Sequence, residues 1–146
     1  MATLSKPNHF ALLQGLILVQ AARVAGLSFI LIGLRQGILP ASFAIPAGIG
    51  DTLIALTAPL VVLAIRRGAL LAWAAAITWN ALGLTDFAVA FTEGFASQAS
   101  AMQTLPWVLI PTIAVPAFTV LHLLSMALLM RRPMRSYFAQ RDKSSE

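Results

Sequence analysis

Four long apolar runs, at about residues 10–34, 44–65, 68–92 and 107–130, leave this chain few ways to fold. Wound as helices at 1.5 Å per residue, each can cross a hydrocarbon layer of about 30 Å. Between residues 94 and 130 there is no Lys, Arg, Asp or Glu, and each of the other three runs carries a single charged residue. In lipid every backbone N–H and C=O must be satisfied within the protein, which favours helices over open strands. With 59% hydrophobic and 10% charged residues, the chain falls far outside the composition of soluble domains. The expected fold is therefore all-α: an integral membrane four-helix bundle forming a single membrane domain over residues 1–146, with a basic tail at 131–146.

The positions of the cations set the expected topology. With four spans, Lys6, Arg66, Arg67, Arg131, Arg132, Arg135, Arg141 and Lys143 all flank one side, while the other side holds Arg35 and Glu93. By the positive-inside rule both termini are cytoplasmic, in a multi-pass protein of the cell inner (plasma) membrane. Val19-Gln20-Ala21 has the small-residue pattern of a signal cleavage site, yet the apolar run continues to Leu34, too long for a signal core. Cleavage would also put Arg66-Arg67 and the basic tail on opposite faces. Between the second and third runs only Arg66-Arg67-Gly68 intervenes, which requires a tight antiparallel hairpin.

The formal charge of +5 does not point to nucleic acid, because the cations sit at chain ends and in one short loop. Arg131 to Phe138 instead mixes cations with aromatics beside a span, as suits anionic lipid headgroups, at about 1 kcal/mol per cation. Cysteine is absent, which excludes disulfides and thiolate metal sites. Trp107 suits an interfacial belt, whereas Trp73 and Trp79 lie deeper and need partners for their indole N–H groups.

Small residues indicate which faces look inward. Ala22 and Gly26 have small-xxx-small spacing in the first run; Gly48, Asp51, Ala55 and Ala58 line the second, and Ala76, Asn80 and Gly83 the third. Helix packing accounts for the small residues but not for the polar ones among them.

Those polar residues are the candidate site. Arg23 lies near the middle of the first run, with Gln20 three residues earlier, and a charge there costs about 2.5–3.5 kcal/mol on an insertion scale. Asp51 and Asp86 lie in the outer parts of their runs, so Arg23 is expected to pair with one or both. Asn80, Gly83 and Asp86 form a drifting stripe that places Asn80 and Asp86 on one cavity, although an interhelical hydrogen bond explains Asn80 alone. His122, flanked by Thr119 and Ser125, suits either a proton relay or a neutral imidazole bonded to a neighbouring helix. Depth along the helices sets His122 about 10 Å from the carboxylates, which argues against a shared metal. His9 at the surface argues against a bis-histidine haem. No cofactor, metal or catalytic residue is expected. Pro59, Pro111 and Pro116 free the carbonyls of Ala55, Trp107 and Thr112, as ordinary kinks do and as broken transporter helices do around a site.

The segments Pro46 to Asp51, Trp79 to Phe87, and Leu105-Pro106 through Pro111, Pro116 and Leu121 to Ser125 form a combined pattern over the second to fourth runs. In that pattern the chain resembles a group of small, uncharacterised bacterial four-span membrane proteins. The resemblance implies a bacterial four-span protein and carries no activity. Arg23 lies outside the matched segments, so its weight rests on burial cost.

Two functional classes remain. In the first, Arg23, Asp51, Asn80, Asp86 and His122 bind or transport an ion, a proton or a small polar solute; four spans are few for alternating access, so a homo-oligomer joined through the small-residue faces would supply the path. In the second, the chain is a non-catalytic structural or accessory membrane subunit. An intramembrane enzyme fares worst, because Ser125 beside His122 on one helix has no orienting acid.

Overall fold

The structure, a computed structural model, describes residues 6–68, 70–97 and 100–143. Residue 69 of the expected third run and residues 144–146 of the expected tail lie outside them. Within the described residues there are helices and turns and no strands. Four helices are long and apolar enough to cross a membrane: α1 (His9–Leu34), α2 (Ala41–Arg67), α3 (Leu70–Ala96) and α4 (Ile110–Leu129). A fifth, α5 (Arg132–Lys143), follows.

The bundle keeps much of its apolar surface outside. Leu53, Leu56 and Leu60 on α2 and Leu71 on α3 are more than half exposed, and similar side chains ring the other helices. Soluble monomers seldom show apolar surface on that scale. These are the proportions of a multi-pass membrane protein.

Local sequence explains the helix ends. Pro40 is extended (φ −68°, ψ 147°), and its carbonyl accepts the Ala44 N–H at 2.9 Å, so α2 starts before the expected residue 44. Gly68 ends α2 in the left-handed region at φ 78°, a conformation that costs glycine little, and its N–H bonds Ile65 O at 3.1 Å. Gly68 was expected to open the third run; it closes the second, and α3 begins at Leu70.

The winding of α1 changes along its length. It is α-helical over Lys6–Val19, tightens to 3-10 geometry over Gln20–Leu27 and widens to π geometry over Phe29–Leu34. With three residues per turn, every third side chain stays on one face. Gln20, Arg23 and Gly26 are accordingly all buried, whereas Ala22 is exposed; Phe29, which opens the π stretch, is buried too. This corrects the expectation that Ala22 and Gly26 share a packing face, which assumed 3.6 residues per turn. On α2 and α3 the α-helical spacing holds: Gly48, Ala55 and Ala58, and Ala76, Asn80 and Gly83, are buried, and Asp51 is partly buried.

Two apolar clusters flank a polar layer. At the end carrying Arg66 and Arg67, here the basic end, Leu13 and Ile17 pack with Val62, Ile65, Leu129 and Phe138. Toward the opposite end Phe29, Leu39, Phe43, Ala44 and Ala47 cluster, with Trp107 against them. Trp107, partly buried, stacks on Phe29 at 6.1 Å between centroids. The deeper indoles have partners: Trp73 donates to Leu129 O and Trp79 to Thr57 Oγ1, each at 2.9 Å.

The tail is a structural element as well as a basic one. α5 turns back on the basic end and buries Met134 and Phe138, and Tyr137 meets Phe10 edge-on at 5.2 Å. Arg135 lies over the Trp73 ring at 5.5 Å, while Arg131 and Arg132 are exposed.

The three-residue periodicity of α1 has a direct test. Ala22→Leu should fold as the parent does, whereas Gly26→Leu, whose Cβ would overlap the Asp51 carboxylate, should lose the monodisperse peak in detergent size-exclusion chromatography. Similar behaviour of the two variants would contradict the winding.

Candidate functional site

A guanidinium has five N–H donors in a planar fork and no acceptor, so burying it requires acceptors on several sides at once. Arg23 is 2% exposed and is met from three helices. Its Nε donates to Asp51 Oδ1 on α2 at 2.7 Å, and its Nη2 donates to Asp86 Oδ2 on α3 in a second ion pair. Nη1 reaches His122 Nε2 on α4 at 3.0 Å, with Gly83 O at 3.5 Å. The Phe87 ring covers one face of the guanidinium, 3.9 Å from Cζ to the centroid.

The network continues behind the arginine. Since Nη1 can only donate, His122 Nε2 accepts and the imidazole proton sits on Nδ1. Nδ1 then donates to Asn80 Oδ1 at 3.0 Å, and Asn80 Nδ2 donates to Ala76 O at 2.8 Å. His122 and Asn80 are both fully buried. A relay of hydrogen bonds thus runs from α3 through α4 and α1 to the two carboxylates.

Glycines make room for it. A Cβ at Gly26 would collide with the Asp51 carboxylate, one at Gly50 with that of Asp86, and one at Gly83 with the His122 ring. Each charged or ring group therefore lies against the bare backbone of a neighbouring helix.

The structure brings Arg23, Asp51, Asn80, Asp86 and His122 into one hydrogen-bonded set. The long Arg23 side chain bridges the depth offset between His122 and the carboxylates. One sequence expectation changes. Asn80 does not share a cavity with Asp86; it is sealed behind His122. Gln20 faces inward but bonds Phe118 O at 3.1 Å, outside the set, and its Oε1 is buried without a partner among the described residues. Ser125 bonds its own helix at Leu121 O, at 2.8 Å. The Trp107 carbonyl freed by Pro111 accepts Ile110 N–H at 3.0 Å.

Phe87 and Gly50 were not singled out from the sequence. Phe87 follows Asp86 directly and Gly50 precedes Asp51, so adjacency to a buried charge was the available signal.

The carboxylates close one end of a cavity of about 720 Å³ between α2, α3 and the segment leading into α4. Phe29, Phe43, Phe87, Phe91, Ala90 and Pro111 supply apolar wall. Asp51 and Asp86 side chains are each 15% exposed and line the cavity, whereas Arg23 at 1% does not reach it.

Fold and site together define a helical protein of membrane-spanning proportions with a charged layer between two apolar clusters. The chain belongs to the family of the domain of unknown function DUF8737, whose model matches residues 1–130. No curated protein and no solved structure matches it.

Removing the hub should cost more than its own contacts. Arg23→Met leaves two carboxylates buried without a cation and should lower unfolding free energy by about 3–5 kcal/mol. Arg23→Lys keeps the charge but not three divergent nitrogens, and should recover only part of the loss in a detergent thermal-shift assay. Full recovery by lysine would show that charge alone matters.

Proposed function

We propose that this chain is a bacterial inner-membrane protein, both termini cytoplasmic, that binds or transports an ion, proton or small polar solute at the Asp51–Asp86 end of its buried network. The observation that carries the reading is the position of the two carboxylates, which tie to Arg23 on one side and line the cavity on the other. A network that served only to hold helices in register would not need a cavity at its most charged point. Intramembrane ionisable groups commonly mark solute and proton pathways.

The grouping of Arg66, Arg67, Arg131, Arg132 and Arg135 at one end, away from Arg35 and Glu93, supports the orientation. Exposed Arg131 and Arg132 beside the buried Phe138 suit a helix resting among anionic headgroups. A homo-oligomer would use the outward apolar faces, because the small-residue faces of α2 and α3 are occupied within the bundle.

The alternative, a structural or accessory membrane subunit, draws on the saturation of Arg23, whose Nε, Nη1 and Nη2 all have partners. Proteoliposomes separate the two. Asp51→Asn and Asp86→Asn variants that insert and fold should lose cation- or pH-driven uptake or binding shown by the parent. If both behave as the parent does, the site reading fails and the structural role stands. A C-terminal green fluorescent protein fusion should fluoresce and a C-terminal alkaline phosphatase fusion should be inactive; the reverse result would invert the topology.

A further inference from the structure

We infer that the cavity takes an organic monocation, with its ammonium head at Asp51 and Asp86 and its apolar body among the phenylalanines. The inference rests on the reading of these carboxylates as a binding site and adds the class of ligand.

Charge sets the sign. Two carboxylates share one guanidinium, so the ionised cluster keeps one net negative charge, and that charge lies on the cavity side of Arg23. Asp51 uses Oδ1 and Asp86 uses Oδ2 on Arg23, and their second oxygens rest against the Gly26 and Gly50 backbones, yet both side chains stay 15% exposed and line the cavity. An anion would meet like charge there, and a neutral apolar molecule would desolvate the two carboxylates with no charge to offset the cost.

The walls set the shape. The volume of about 720 Å³ lies within the range of small-molecule sites. Beyond the two carboxylates the lining is dominated by apolar side chains, among them Phe29, Phe43 and Phe91. An inorganic cation would find two carboxylates and little else, would keep most of its water, and would leave the apolar walls unused. No group of three His, Cys, Asp or Glu suited to a metal occurs among the described residues. A cation with an apolar body meets both demands, and phenylalanine faces attract its head on approach.

The probe is radiolabelled benzyltrimethylammonium, measured against the full chain in nanodiscs of zwitterionic lipid. Saturable binding is expected, undiminished by its neutral isostere neopentylbenzene and competed poorly by tetramethylammonium or sodium. Asp86→Asn should weaken it by about tenfold or more. Gly94→Leu provides a variant that leaves the ion pairs alone. A Cβ on Gly94 would stand in ordinary contact with Phe43 at 3.5 Å, so the larger side chain can fill the cavity while the bundle folds. It should weaken binding comparably.

Equal competition by neopentylbenzene, or unchanged affinity in Gly94→Leu, would overturn the inference. Carboxylate-dependent sodium or proton uptake with no benzyltrimethylammonium binding would reject this ligand class and leave the site reading intact. Absence of carboxylate-dependent uptake and of binding alike would remove both.

Discussion

The guanidinium of Arg23 is withdrawn from solvent among helices whose other inward residues are mostly apolar, and its charge and donors must be answered inside the protein. No single helix can do this. Carboxylates from α2 and α3 and an imidazole from α4 approach from different directions, so satisfying one residue fixes the rotation and height of three helices relative to the fourth. Sliding any helix by one turn, about 5.4 Å, would strand at least one charged or polar partner. Apolar packing sets how closely the helices approach; the arginine sets their register.

That requirement also accounts for the irregular backbone of α1. In the 3-10 stretch the buried positions recur every three residues, which stacks Gln20, Arg23 and Gly26 above one another. Gly26 then lies beside the Asp51 carboxylate that Arg23 binds, and Phe29 begins the apolar cluster beyond. A regular α-helix would rotate Gly26 off this line. The same device recurs as single glycines elsewhere: Gly50 under Asp86 and Gly83 under His122 let polar groups lie flat on a neighbouring backbone.

Much of this was legible in the sequence because the physics involved is one-dimensional. Length and hydropathy reveal four long apolar helices, and a charge inside an apolar run stands out without any coordinates. Arg23, Asp51, Asp86, Asn80 and His122 could be named on that basis. What could not be read was geometry that depends on winding or on side-chain length. Ala22 was placed on the wrong face because helical pitch is not written in composition, and whether His122 joins Arg23 was left open because rise per residue ignores the reach of an arginine. The tail read as basic and aromatic, which is correct, but its burial of Met134 and Phe138 depends on a surface that exists only once the bundle has formed.

α5 gives the molecule a stopper. Phe138 is wholly enclosed with Leu13, Ile17, Ile65 and Leu129, so the basic end of the bundle is plugged by packed hydrocarbon. Behind the carboxylates lie Arg23, His122 and Asn80, all buried, and behind those the plug. A solute held at the carboxylates, as proposed above, would therefore sit at a blind end of the bundle.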